Sequence, residues 1–168
     1  RLFVLNEILH RDNPIVTANL ASATRYLPSP ELFKERTFTL KKGKHYQLED
    51  IRRKLIKDGY ALVNKVDQSL QFAIRGDVLD IFSVNNDNPV RIEFFDDEIE
   101  SMRYFDLAKQ TSIGMLDEVT ILPASDILFN DEDLAKSGDK LYANIEKDKE
   151  VIGLTLFEKL RDTADDLA

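Results

Sequence analysis

The chain has 168 residues, room for one domain or one domain with part of a neighbour, which excludes two large domains. Hydrophobic residues at 43% and charged residues at 32% supply a real core and exclude disorder of the whole chain. The 23 Lys plus Arg against 31 Asp plus Glu leave a net charge of −8, which disfavours a high-affinity duplex binder; zero cysteines exclude disulfides, thiolate metal sites and a Cys nucleophile.

The absence of cysteine fits a reducing compartment, and a cytoplasmic location is expected. Apolar runs such as Leu2-Phe3-Val4-Leu5 are short and no cleavage-site pattern follows them, so neither a membrane span nor a signal peptide is expected. Beginning at Arg1, the chain reads as processed or as a piece excised from something longer.

In chain order, Leu2, Leu5, Ile8 and Leu9 have helical spacing, and Asp12-Asn13-Pro14 ends that helix before a strand candidate at Ile15 to Ala18. Ala21 to Leu27 allows a helical turn or two. Pro28 and Pro30 then predict an extended or turning path toward Leu32 and Phe33. Residues 1–35 are a partial flanking α/β segment, with a domain boundary near 35. Thr37 to Leu40 alternates like a strand, and Leu48, Ile51, Leu55 and Ile56 form one apolar helix face that Gly59 caps.

The period then changes. Tyr60 to Val66, Leu70 to Arg75, Val78 to Val84, Val90 to Phe95 and Ile99 to Phe105 are short, rich in β-branched or aromatic residues and separated by turn formers. Their short links predict an antiparallel meander of five strands. Val119 to Leu122 is a further strand candidate, stopped by Pro123. Residues 36–128 are thus the main domain, and the fold class is α+β: a mainly antiparallel sheet with packed helices. From 131 onward eleven acids face six bases. Leu134, Leu141 and Ile145 form one helical stripe, and Val151, Leu154, Phe157 and Leu160 another. Gly138 and Gly153 are expected to interrupt this acidic helical tail, 129–168, and fraying is expected after Asp162.

Among residues that can carry chemistry, Asp77, Asp80, Asp96, Asp97, Glu98 and Glu100 are many carboxylates close in sequence, and paired acids hold Mg²⁺ or act as acid and base. Asp96-Asp97 falls between two strands, where Asp bonds neighbouring amides in a turn. Asp80 alternates with Leu79 and Ile81 and is expected to pair with a basic residue on a neighbouring strand. His10 and His45 lack the spacing of a zinc site or triad and are expected at the surface. Neither GxxxxGK[ST] nor GxGxxG occurs, so no ATP hydrolysis is expected of this chain. In Arg75-Gly76-Asp77, Gly76 answers a turn requirement.

Strand parity is more informative. Val90, Ile92 and Phe94 share one face of a strand and are core candidates; Arg91, Glu93 and Phe95 share the other, along about 13 Å. Phe72 and Ile74 likewise oppose Ala73 and Arg75. If those strands are neighbours, Arg75, Arg91, Glu93 and Phe95 make one patch, and mixed charge around an aromatic suits a protein partner. Two readings of that face stand open: an interface, or a solvated face with an internal Arg91–Glu93 or Arg75–Glu93 pair and Phe95 under a loop.

The ordered residues Gly59-Tyr60, Phe72 to Phe82 with Arg75-Gly76-Asp77 inside, Val90-Arg91-Ile92-Glu93-Phe94-Phe95-Asp96-Asp97-Glu98-Ile99, and Arg103-Tyr104-Phe105-Asp106 carry a resemblance. They are similar to the UvrB-homology region near the N-terminus of bacterial transcription-repair coupling factors of the Mfd family, and to the equivalent domain of UvrB. The likeness continues more weakly through Tyr26 to Glu31 and Val119 to Ala124. It implies a noncatalytic UvrA-binding module that recruits UvrA to stalled transcription complexes in nucleotide excision repair, with no cofactor or metal. The implied contact positions are Arg75, Arg91, Glu93 and Phe95. It also implies that RNA polymerase and DNA are engaged by other domains, and that the face is covered in the intact protein until polymerase is engaged.

Two departures stand out. UvrB-type sequences often carry an Arg where this chain has Ala73, and Ser83 replaces a more usual Pro, a change expected to matter only to the local turn. Beside the coupling-factor reading stand a UvrB-like repair fragment, a Mg²⁺-dependent phosphodiesterase built on Asp77, Asp80, Asp96 and Asp97, and nucleic-acid binding through Arg52, Arg53, Lys54 and Lys57 with Lys41, Lys42 and Lys44.

Overall fold

A computed structural model describes residues 1–147. Helix α1 (Leu2–His10) follows the apolar spacing of its sequence: Leu2, Leu5 and Leu9 pack on a small core of Phe33, Leu122 and Leu128, while Ile8 stays on the exposed side. The strand expected at Ile15 to Ala18 does not form; Ile15 is 96% exposed and pairs with no strand. A one-turn helix α2 (Leu20–Ala23) follows, capped by the Asn19 side chain accepting from the Ser22 amide.

Beyond Pro28 the expected extended path is instead helix α3 (Pro30–Arg36), because Pro30 occupies its first turn, where no amide is needed. Ser29 accepts from the Leu32 amide as N-cap.

Strand β1 (Phe38–Lys41) precedes helix α4 (Leu48–Lys57). Ile51 and Leu55 of α4 are buried and Leu48 packs against the core, but Ile56, expected on the same face, is exposed. Gly59, at φ +91°, ends the helix as expected: its amide bonds the Ile56 carbonyl while the Tyr60 amide reaches back to Leu55, a Schellman closure.

Strands β2 (Ala61–Leu62), β3 (Gln71–Arg75), β4 (Val78–Phe82), β5 (Val90–Phe95), β6 (Glu98–Phe105) and β7 (Ser112–Met115) form a six-stranded sheet in that order. The expected α+β class holds, with two changes. β2 is two residues long and runs parallel to β3, because residues 63–70 loop back before the chain re-enters the sheet. Gln71 Oε1 accepts from the Asp67 and Gln68 amides there, and Leu70, at φ +66°, is a turn residue and not the start of a strand. The sixth strand, β7, was not expected. Strand β8 (Glu118–Ile121) pairs antiparallel with β1 in a separate two-stranded sheet.

One core binds these parts: Leu40, Ile51, Leu55, Tyr60, Phe72, Leu79, Ile81, Ile92, Met102 and Ile121 belong to a single buried cluster, placing α4 and the β1–β8 pair over one face of the large sheet. At its margin the Tyr60 hydroxyl donates to the Leu122 carbonyl (2.7 Å) and lies 2.9 Å from Ser83 Oγ. Burial raises the Tyr60 pKa well above its usual value. Ser83 Oγ also accepts from the Leu122 amide and donates to Asn85. Ser83 is fully buried, so its role exceeds the local turn expected of it.

The chain divides into two units, Arg1–Leu128 and Phe129–Ala168. In the second, helix α5 (Asp131–Lys147) passes through Gly138 without the expected break, the cost of one glycine, about 1 kcal/mol, being too small to split it. The stripe Val151, Leu154, Phe157 and Leu160, the Gly153 interruption and the fraying after Asp162 lie outside the described residues. No helix among the described residues is long and apolar enough to cross a membrane.

Candidate functional site

The large sheet has one face in the core and one outside. Val90, Ile92 and Phe94 are buried as parity requires, and Arg91, Glu93 and Phe95 point away from the core. Phe95 is 74% exposed. Arg75 ends β3 beside the Gly76-Asp77 turn, where Gly76 takes φ +58°, as its expected turn role requires.

The condition set for the patch, that the strands of Arg75 and Arg91 be neighbours, is not met, because β4 lies between them. The two arginines meet through it. Ala73, Asp80, Arg91 and Arg103 form one register row across β3 to β6, and Arg75, Val78, Glu93 and Ser101 form the next. Arg91 donates through Nε (2.7 Å) and Nη2 (2.8 Å) to both oxygens of Asp80, and Arg75 Nη2 donates to the same carboxylate at 2.7 Å. Asp80, only 2% exposed, thus fixes two cations on the face, which fulfils its expected cross-strand role. Arg91 also lies 4.6 Å above the centre of the Phe105 ring, and its hydrogen bonds to Asp80 raise its pKa.

Neither internal pair of the solvated-face reading, Arg91–Glu93 or Arg75–Glu93, is made. Glu93 instead accepts from both terminal nitrogens of Arg103, with Arg103 Nη1 at 2.7 Å, and from Ser101 Oγ at 2.6 Å. These hydrogen bonds, Arg103 foremost, hold the Glu93 carboxyl down at about 2.

Arg103 and Ser101 are the residues that sequence reasoning missed. Simple alternation along β6 groups them with the buried Ile99. An irregularity opposite Glu93 and Phe94 leaves Glu100 without a partner, so Ile99 faces the core beside Phe94 while Ser101 and Arg103 turn outward beside Glu93 and Arg91. Arg75, Val78, Arg91, Glu93 and Gln110 border a shallow hollow of about 330 Å³.

Several of the other candidate groups have structural partners. Asp96, at φ +58°, and Asp97 make the turn between β5 and β6, and Asp97 Oδ1 bonds His45 Nδ1 at 2.7 Å, raising the His45 pKa. Among the described residues, no three His, Cys, Asp or Glu are grouped to hold a metal ion. Of the basic cluster, Arg52 pairs with Glu49, Arg53 with Asp50 and Lys41 with Glu118, and Lys54 sits over the Phe38 ring. Both histidines are exposed, as expected.

The outer face of the sheet thus combines a fixed lattice of charge with a bare phenylalanine, backed by the buried apolar cluster. The sequence model of the UvrB interaction domain matches residues 38–127, and the chain belongs to that family. Among curated relatives, the transcription-repair-coupling factor of Bacillus subtilis is 32% identical over 145 residues, 86% of this chain and 12% of that protein. That of Myxococcus xanthus is 41% identical over 90 residues, 54% of this chain and 8% of that protein. That of Haemophilus influenzae is 25% identical over 174 residues, covering 95% of this chain and 15% of that protein. The chain therefore spans a small part of the length of these relatives. The resemblance carried by the Arg75-Gly76-Asp77 and Arg91 to Phe95 strings is borne out.

Proposed function

We propose that this chain is a noncatalytic docking module of a transcription-repair coupling factor, which recruits UvrA to stalled transcription complexes in nucleotide excision repair. The supporting observation is the outer face of the large sheet, on which Arg75, Arg91 and Glu93 are held by register and ion pairs while Phe95 stands free. UvrA contacts those four residues. Two hydrogen-bonded guanidiniums set orientation, and the phenylalanine is the apolar anchor a partner pocket would desolvate. Family membership and the coupling-factor relatives support the same reading.

In this reading residues 36–128 are the docking domain, 1–35 its flanking segment and 129–168 an acidic tail. RNA polymerase and DNA are engaged by other domains of a longer cytoplasmic protein, which also hold its ATPase motifs. The carboxylates weigh against the phosphodiesterase alternative, since Asp80 is neutralised by two arginines and Asp97 is taken up in a hydrogen bond with His45.

Calorimetric titration of the chain with purified UvrA tests the proposal. Arg91→Ala and Phe95→Ala should each weaken binding by about 1 to 4 kcal/mol with unchanged circular dichroism. Wild-type affinity in both variants would remove the interface.

A further inference from the structure

The four residues of the proposed interface cover three strands, about 10 Å across and 13 Å along, on the order of 150 Å² of sheet. A stable protein contact buries about 800 Å² per partner. The docked surface must therefore extend, and the sheet offers a direction. Met115 stands opposite Arg103 in the β6–β7 register, so it continues the row Asp80, Arg91, Arg103 onto the edge strand and shares their outer face. Met115 is 63% exposed, and Ile113, the extra residue of the β6–β7 irregularity, is 54% exposed.

Edge strands ordinarily carry charge or proline that blocks contact with other chains. Ser112-Ile113-Gly114-Met115 carries neither and exposes two large apolar side chains, Met115 in the row of the charge lattice and Ile113 two residues before it. Methionine suits such a place, since its unbranched thioether adapts to the surface it meets.

We infer that Met115, with Ile113, is a second apolar anchor of the same interface, so that the partner straddles the sheet from Phe95 at the β5–β6 turn to the β7 edge. This rests on the proposed docking of UvrA and defines the chemistry that UvrA must present. That chemistry is an apolar pocket for Phe95, an acidic group at the half-exposed Arg75, and a second apolar patch at Met115, two strands beyond Arg91. Arg75 has a guanidinium nitrogen left for that group, since only Nη2 bonds Asp80. Arg103 is committed to Glu93 and acts as a positioning residue between the two anchors.

The test titrates UvrA against the whole chain carrying Met115→Ser, Ile113→Ser, both together, or Met115→Leu, with Arg91→Ala alongside. Met115→Ser should weaken binding at least about fivefold and the double variant more, while Met115→Leu stays within about twofold of wild type. The serine effect should be equal at low and high salt, whereas that of Arg91→Ala should shrink as salt rises. If Arg91→Ala weakens binding and the serine variants do not, the second anchor is overturned and the four-residue interface stands. If no variant matters, or the chain does not bind UvrA, both fall. Should sedimentation show a dimer that Met115→Ser abolishes while UvrA affinity is unchanged, the edge serves a second copy of this chain and the inference is overturned.

Discussion

Asp80 is a single carboxylate answering two guanidiniums, and its burial makes the arrangement stiff. Neither oxygen is left for solvent, and Arg91 is itself largely covered. Asp80→Asn removes the charge and leaves two cations competing for a neutral amide. Loss of one member of a buried pair costs about 3 kcal/mol, so urea unfolding should show a loss of that size, and UvrA affinity should fall although Asp80 lies beneath the contact surface. Glu93 gives a pH signature. Its folded-state pKa, about 2, lies below the ordinary 4.5. The folded form therefore binds fewer protons, and the Glu93 contribution to stability is complete above pH 4.5 and drains away as pH falls from 4.5 toward 2. Thermal melts of Glu93→Gln should lose that part of the acid dependence; an unchanged profile would mean the Arg103 clamp is not made in solution.

At the scale of elements, legibility followed regularity. β5 alternates strictly, so Arg91, Glu93 and Phe95 could be read from the sequence, and α4 with its Gly59 stop could be read from spacing. β6 could not, because the unpaired Glu100 changes which side each later residue occupies, and nothing local in Glu98-Ile99-Glu100-Ser101 announces the shift. The same limit applies to β2, whose direction is set by the loop at 63–70 and by Gln71, not by its own two residues. α3 was missed because a proline that disfavours helix before it favours helix after it. Gly59→Ala should destabilise by about 1 kcal/mol or more in denaturant melts, since φ +91° strains any side chain. Ser83→Ala should cost about 1 to 3 kcal/mol, because the Leu122 amide loses its buried acceptor.

For the whole molecule, the two buried clusters lie entirely within Arg1–Leu128. A chain ending at residue 130 should keep a cooperative melt, whereas one ending at 117 should not, because it loses β8 and with it Leu122 and Leu128. A melt retained by the shorter chain would overturn this division of stability.

The β1–β8 pairing reaches further than stability. Phe38 lies directly opposite Ile121, which sets their Cα atoms about 5 Å apart although eighty-two residues separate them. The first strand of the family-matched segment thus lies beside its last, although the match itself runs on to residue 127. A body whose first and last strands adjoin, cut at those strands, suits splicing into a loop of an unrelated scaffold with little change in the path of the host backbone.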